Sequence, residues 1–124
     1  MNDGARILIA EDEVIVGLVL RNTVKAMGHE VVAVVRGGRQ AVAIAQEEYV
    51  DLILMDVRLS DDMDGISAAE AINHGIPIVF HTAYVDEVTI DRARSLNPIA
   101  VLQKPVGDRV LRAAIERGLS TRSG

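Results

Sequence analysis

The sequence predicts an α/β domain built around a five-stranded parallel sheet. Five short apolar runs alternate with longer amphipathic segments, an order that is typical of consecutive βαβ units. Most of these runs lack alternating polar residues, as expected for strands that helices cover on both faces. A chain of 124 residues suits one domain with a single core.

The apolar runs define the strands, and the segments between them define the helices. In chain order the predicted strands are Ile7–Ala10, Glu30–Val35, Leu52–Met55, Ile78–His81 and Ala100–Gln103. Between them, apolar residues recur every three or four positions, which indicates helices. In chain order the predicted helices are Val14–Met27, Gly38–Glu48, Ile66–His74, a segment from the cap residue Asp86 through Ser95, and a segment that Asp108 caps and that buries Leu111, Ala114 and Ile115.

Glycine and proline mark where several helices end. Gly28 follows the first helix and Gly75 the third. Asn97-Pro98 ends the fourth. Residues 120–124 read as a polar tail, so within a single domain of residues 1–124 the folded core is expected at about 6–119.

The connections between strands narrow the topology. Parallel strands joined through helices have right-handed crossovers. Together with a ligand crevice at the carboxyl ends of the strands, this rule favours a flavodoxin-like (βα)5 three-layer sandwich with strand order 2-1-3-4-5.

Composition excludes several classes of function. The net charge of −5, from 13 basic and 18 acidic residues, argues against direct binding of a nucleic-acid backbone. The absence of cysteine excludes disulfides, thiolate nucleophiles and cysteine-based zinc sites. No apolar run reaches membrane-spanning length, and no signal-peptide pattern begins the chain. We therefore expect a cytoplasmic protein with no membrane partner.

Chemically active residues follow four of the five predicted strands. Glu11 and Asp12 follow the first strand, Asp56 the third, Thr82 the fourth and Lys104 the fifth. The carboxyl ends of parallel strands share one edge of a sheet, so these side chains are expected to share one pocket.

Asp56 is the central candidate in this pocket. A carboxylate at the end of a buried strand can attack a phosphoryl group and form an acyl phosphate, although such an aspartate can also be only a cap. Glu11 and Asp12 offer the hard oxygen ligands that Mg²⁺ requires, or they form an acidic first turn that the helix dipole stabilises. Lys104 offers a positive charge and Thr82 a hydroxyl, both suited to phosphoryl oxygens.

Four motifs, in this order and at these spacings, resemble a response-regulator receiver domain of two-component signalling. They are Glu11-Asp12, Asp56, Thr82 and Lys104-Pro105. The resemblance covers residues 7–119. It implies that a histidine kinase or a histidine phosphotransfer protein donates a phosphoryl group to Asp56 with Mg²⁺ (or Mn²⁺) as cofactor. It also implies a downstream protein partner and a homodimer through the switch surface. No substrate turnover is expected beyond Mg²⁺-dependent self-phosphorylation and autodephosphorylation.

The resemblance assigns roles to individual residues. It implies metal ligands at Glu11, Asp12, Asp56 and the backbone carbonyl of Arg58, a switch hydroxyl at Thr82 and a catalytic lysine at Lys104. The Lys104-Pro105 bond is expected to be cis. Arg58 and Tyr84 match positions that modulate hydrolysis. Surplus apolar residues on the first helix match the kinase-docking surface, unless the core buries them; they are Ile15, Leu18 and Val19.

The chain also departs from the family pattern. Val101 stands where receivers usually carry a switch aromatic, and Tyr84 is either a partial substitute or a rim residue. The loop after Asp56 lacks the usual proline and is one residue longer before Asp64-Gly65. His81 lies beside Thr82, but strand alternation points it to the opposite face, so a packed or rim histidine is predicted rather than a phosphodonor.

Three other functions fit parts of the sequence. The first is a phosphatase of the haloacid-dehalogenase type, but such enzymes need an acid where Arg58 stands. The second is a receiver-like interaction module that signals without phosphorylation, which Val101 and the altered loop favour. The third is a flavin or nucleotide binder, but no glycine-rich phosphate loop follows the first strand.

Overall fold

The computed structural model describes residues 4–72, 75–83 and 86–123. Strands and helices alternate through these ranges, in the order β1 Arg6–Ala10, α1 Val14–Ala26, β2 Glu30–Val35, α2 Gly38–Glu47, β3 Leu52–Asp56, α3 Gly65–Ile72, β4 Ile78–Thr82, α4 Glu87–Arg94, β5 Ala100–Gln103 and α5 Asp108–Ser123. The strands form one parallel sheet in the order β2-β1-β3-β4-β5. The predicted flavodoxin-like architecture is therefore confirmed. None of the described helices is both long and apolar enough to cross a membrane.

Two apolar clusters hold the three layers together, one on each face of the sheet. Successive residues of a strand point to opposite faces, so Ile53 joins the cluster that includes Ala41 of α2 and Ile66 of α3. Leu54 joins the other cluster, with Leu20 of α1 and Ile115 of α5. This alternation decides to which face of the sheet the side chain at each strand end points.

The predicted helix boundaries agree with the structure to within a few residues, with two corrections, except that the predicted end of the third helix at His74 lies outside the described residues. Asp86 caps α4 as predicted, since its Oδ2 accepts a hydrogen bond from the Thr89 N–H at 3.0 Å. Asp108 was predicted to cap α5, but it is the first residue inside that helix, and its Oδ2 accepts from Arg112 Nε at 2.7 Å. The polar tail predicted from residue 120 is helical up to Ser123. The Thr121 hydroxyl donates to a backbone carbonyl one turn earlier, which lets a polar residue continue a helix.

The loop between β3 and α3 is fastened to the start of α2 by one carboxylate. Asp61 accepts hydrogen bonds from the backbone N–H groups of Gly38 at 2.9 Å, Arg39 at 2.9 Å and Met63 at 3.1 Å. Burial alone would raise the pKa of Asp61, but these three N–H groups hold it below its usual range. Asp61 thus caps α2 from a distant loop and fixes the segment that follows Asp56.

We predict that Asp61→Ala lowers the free energy of unfolding by about 1–2 kcal/mol, because three backbone donors lose their acceptor. Urea unfolding measures the change. Asp62→Ala is the matched control, since Asp62 is an exposed residue that pairs with Arg39 at 2.7 Å, and such surface pairs contribute little. Equal losses in the two variants would contradict the capping role.

Candidate functional site

Strand alternation brings Glu11, Asp56 and His81 onto one face of the sheet. Leu54 and Val79 belong to the apolar cluster beneath α1 and α5, and Asp56 and His81 lie two residues further along the same strands. Asp56 and His81 are also direct partners across β3 and β4. All three polar side chains are buried, with 1–2% of each residue exposed.

Lys104 completes this group from the end of β5. Its ammonium Nζ lies 2.8 Å from Asp56 Oδ2, 2.9 Å from Glu11 Oε1 and 3.2 Å from Glu13 Oε1. Burial alone would lower the pKa of Lys104, but the hydrogen bonds that it donates to Asp56 and Glu11 hold the pKa above its usual range. Lys104 therefore stays charged and partly neutralises the two buried carboxylates. The Lys104-Pro105 bond is cis, as the resemblance implied.

Glu11 is a buried carboxyl group whose ionised form is disfavoured. Burial raises the pKa of Glu11 to about 7, while hydrogen bonds from Lys104 and from the Glu13 N–H partly oppose this rise and the neighbouring Asp56 adds to it. The Glu13 N–H donates to Glu11 Oε2 at 3.0 Å. Glu11 therefore ionises reluctantly, and a further cation nearby would favour its charged form.

Of the two predicted alternatives for His81, a packed or a rim residue, the structure shows the packed one, and His81 also belongs to the site. Its Nδ1 lies 3.3 Å from Glu11 Oε1. Burial lowers the pKa of His81 to about 4. The imidazole is therefore neutral near pH 7 and lies against the acidic pair without adding charge. The signal that could have found it is the shared strand face of His81 and Asp56.

We predict that Glu11 and His81 give opposite pH dependences in metal-free solution. The pKa of Glu11 rises on folding from 4.5 to about 7, so its contribution to stability falls as the pH rises through this window. The pKa of His81 falls on folding from 6.5 to about 4, so its contribution rises as the pH rises through that window. Each contribution amounts to about 3 kcal/mol at most.

Two single variants separate these contributions. Relative to the native protein, Glu11→Gln should gain stability as the pH rises from about 4.5 to 7, because it lacks the glutamate that resists ionisation. His81→Leu should instead lose stability relative to the native protein as the pH rises from about 4 to 6.5. Urea unfolding at each pH measures the free energy of unfolding. Difference curves of the same sign would contradict the prediction.

Thr82 is the last residue of β4 and lies next to His81, but it lines a groove that is separate from the acidic pocket. It is buried, and its carbonyl accepts a hydrogen bond from the Lys104 N–H at 2.8 Å. It lines an open groove of about 490 Å³ between α4 and β5, together with Ile90 and Val101. The side chain of Val101 is only half-buried here. The groove thus lies where the sequence lacks the usual aromatic.

The other residues of the predicted site lie around Asp56. The Arg58 N–H donates to Asp56 Oδ1 at 3.2 Å, and the Arg58 side chain is exposed. Asp12 is half-buried, and its carbonyl accepts from Arg36 Nε at 3.1 Å. Tyr84, the second predicted modulator, lies outside the described residues.

The pocket has the character of a divalent-cation site. Among the described residues, Glu11, Asp56 and His81 each offer one ligand atom, and these atoms lie within 4.8 Å of one another. Glu11 Oε1 is buried and accepts no well-oriented hydrogen bond from the described residues, although the Lys104 ammonium lies 2.9 Å away. Buried carboxylates with an unused oxygen fit a hard divalent ion. The side chain of Asp12 is not part of this closest group.

The predicted docking surface is exposed. Four apolar side chains of α1 are between 48% and 76% accessible to solvent; they are Val14, Ile15, Leu18 and Val19. The alternative, that the core buries the last three, is therefore wrong. These residues form a continuous apolar strip beside the acidic pocket, which we call the α1 strip.

The sequence of this chain is similar to that of a known protein family. Residues 7–116 match the response regulator receiver domain family. The transcriptional regulatory protein PdtaR of Mycobacterium tuberculosis is 37% identical over 117 residues, which cover 93% of this chain and 57% of PdtaR. The chain thus spans little more than half of that relative's length.

Solved structures agree. The signal receiver domain of a modulated diguanylate cyclase from Desulfovibrio desulfuricans superposes with a TM-score of 0.91 at 31% identity, covering 98% of both chains. The receiver domain of the sensor histidine kinase PA1611 from Pseudomonas aeruginosa, which has a magnesium ion in its active-site cleft, gives 0.85 at 29% identity, covering 94% of this chain and 98% of that one. The fold and the pocket define a signal receiver of two-component systems. This chain belongs to the response regulator receiver domain family.

Proposed function

We propose that this chain is a phosphoacceptor that takes a phosphoryl group on Asp56 from a phosphohistidine donor. The observation that carries the proposal is the contact of Lys104 Nζ with Asp56 Oδ2 at 2.8 Å in a buried acidic pocket. A buried carboxylate fixed beside a permanent positive charge is suited to accept a dianionic group.

Two hydrogen bonds, one to each oxygen, orient the Asp56 carboxylate for its attack on phosphorus. The Arg58 N–H binds Oδ1 and the Lys104 ammonium binds Oδ2, so the carboxylate has a fixed orientation. In the transfer, one carboxylate oxygen forms a bond to phosphorus as the phosphorus–nitrogen bond of the donor breaks, and the imidazole of the donor leaves with that electron pair. Lys104 can then pair with an oxygen of the new phosphoryl group, and the Thr82 hydroxyl can donate to another.

Mg²⁺ is part of this proposal. Glu11, Asp12, Asp56 and the carbonyl of Arg58 would hold it, and the ion would offset the negative charge that builds up on the phosphoryl oxygens. The pKa of about 7 for Glu11 supports this role, since burial leaves that carboxylate short of positive charge.

The proposal extends to partners. Receiver domains interact with histidine kinases and downstream effectors. We propose that the donor, a histidine kinase or histidine phosphotransfer protein, packs on the α1 strip, because this apolar surface lies beside the acceptor and is unpaired among the described residues. The same proposal includes a downstream protein partner and a homodimer on the face formed by α4, β5 and α5. It also includes a cytoplasmic location and modulation of hydrolysis by Arg58 and Tyr84.

The decisive experiment is labelling by a small phosphodonor in the presence of Mg²⁺, followed by intact-mass spectrometry. The native protein should gain one phosphoryl group, and Asp56→Asn should gain none, because its amide is not a nucleophile. Asp91→Asn, which changes an exposed carboxylate on α4, should label like the native protein. A lasting adduct on Asp56→Asn would refute the assignment.

A second candidate is an interaction module that signals without phosphorylation. The groove of about 490 Å³ beside Val101 favours it, because the usual aromatic switch residue is absent there. Mg²⁺ titration separates the two candidates: a phosphoacceptor should bind the ion at its acidic pocket, whereas a module of this kind should show neither binding nor labelling.

A further inference from the structure

The turn between β2 and α2 contacts the loops on both sides of the acidic pocket. Residues 36–39 form this turn and the start of α2, and β2 lies beside β1 at the edge of the sheet. The loop after β1 carries Glu11 and Asp12, and the loop after β3 follows Asp56. Hydrogen bonds from the turn to both loops therefore fix how far apart the two loops lie.

Two hydrogen bonds and a close approach hold the loop after Asp56 against this turn. The carbonyl of Arg36 accepts from the Ser60 N–H at 2.8 Å and from the Ser60 hydroxyl at 2.8 Å. The main chains can come this close because Gly38 has no side chain, and a Cβ there would clash with the carbonyl oxygen of Met63. The loop is thus fixed at this point although it lacks the usual proline.

The side chain of Arg36 binds the loop on the other side of the pocket. Its Nε donates to the carbonyl of Asp12 at 3.1 Å. Gln40 Oε1 keeps the turn itself in place, since it accepts from the Arg36 N–H at 3.2 Å and from the Gly37 N–H at 3.1 Å. One residue therefore links the two loops, through its guanidinium on one side and its carbonyl on the other.

We propose that Arg36 is a positioning residue that sets the separation between the loop of Asp12 and the loop of Ser60. Resting on the proposed function, one consequence follows: Asp12 and the carbonyl of Arg58, which would hold Mg²⁺ from opposite loops, keep their spacing before the ion binds. Ligands that are already in place bind more tightly than ligands that must first be ordered. Loss of the Arg36 side chain should therefore weaken Mg²⁺ binding and leave the labelling rate at saturating Mg²⁺ unchanged.

The test compares Arg36→Leu with Arg36→Gln in the metal-free, unphosphorylated chain. The glutamine amide nitrogen follows the same number of side-chain carbons as arginine Nε, so it can donate to the Asp12 carbonyl without a charge, whereas leucine has no donor. Hydrogen exchange measured by NMR should show the Ser60 N–H exchanging about three to ten times faster in Arg36→Leu, as expected for the loss of one hydrogen bond. In Arg36→Gln the rate should stay near the native one.

The control is Arg21→Leu, which removes an exposed arginine of α1 and should exchange at Ser60 like the native protein. Because Arg36 is itself exposed, its variants are expected to fold. A native exchange rate at Ser60 in Arg36→Leu would overturn the proposal. Equally fast exchange in Arg36→Leu and Arg36→Gln would assign the effect to charge and would overturn it as well.

A second measurement uses Mg²⁺ and a small phosphodonor. Arg36→Leu should raise the Mg²⁺ concentration for half-maximal labelling of Asp56 about three- to tenfold and leave the rate at saturating Mg²⁺ unchanged. A fall in the saturating rate alone would contradict the positioning role. The exchange experiment uses neither metal nor phosphodonor, so it decides the role of Arg36 even where labelling fails. Normal labelling of the native protein with unaltered exchange in Arg36→Leu would leave the proposed function intact and remove this inference.

Discussion

Gly65→Ala should be the most destabilising single substitution near the site, lowering the free energy of unfolding by about 3 kcal/mol or more. A Cβ at this position would lie 1.9 Å from the carbonyl oxygen of Asp56 and 2.9 Å from Met55 Cγ. That oxygen belongs to the backbone of β3, the central strand, which has neighbours on both sides. The clash therefore cannot be relieved without disturbing the sheet or moving α3 away from it.

Urea unfolding of Gly65→Ala and Gly107→Ala gives a matched comparison. A Cβ on Gly107 would meet no atom within 4 Å, so alanine there should change stability by less than about 1 kcal/mol. Similar unfolding midpoints for the two variants would show that the close approach at Gly65 is not fixed in solution. The same contact explains why an Asp-Gly pair ends the longer loop: the chain has to pass against the backbone of Asp56, the proposed phosphoacceptor.

Lys104→Met should make the stability of the folded protein depend on Mg²⁺. In metal-free solution the variant leaves Glu11 and Asp56 buried without their positive partner, which is expected to cost about 3 kcal/mol. Under the proposed function, Mg²⁺ binds the folded pocket and not the unfolded chain, so it should restore most of this loss. The affinity for Mg²⁺ should also rise, because the competing ammonium is gone. Thermal unfolding over a Mg²⁺ series measures both effects.

Two further variants sharpen this prediction. Lys25→Met removes an exposed lysine from the last turn of α1 and should leave the Mg²⁺ response unchanged. In metal-free solution at a pH above the pKa of Glu11, Glu11→Gln added to Lys104→Met should recover stability, since it removes one of the two unpaired charges. If Lys104→Met and Lys25→Met responded alike to Mg²⁺, the electrostatic account of the pocket would be wrong.

Much of this site could be predicted because strand ends are visible in the sequence. The apolar run Leu52–Met55 and the run Ala100–Gln103 locate Asp56 and Lys104 at the same edge of a parallel sheet. The structure then places these two side chains in direct contact. The prediction required only the identity and direction of the strands, which periodicity and chain order supply.

The parts that were missed depend on register and on distant contacts. Strand alternation predicts that His81 and Thr82 point to opposite faces, but the alignment of β3 with β4, which places His81 beside Asp56, is a property of the folded sheet. Asp61 lies in a loop and caps α2, which starts 23 residues earlier at Gly38. No local pattern links these positions, because the bond forms only after α2 and the loop have packed together.

The small side chain of Val101 also bears on how the domain could report its state. A bulky ring can swing between an outward and an inward position, and each position shows a partner a different shape. Valine has one short, stiff rotor, with no comparable range of motion. In the proposed phosphoacceptor, Val101 can therefore pass on a change at Asp56 only by moving with the main chain of β5 beside the open groove.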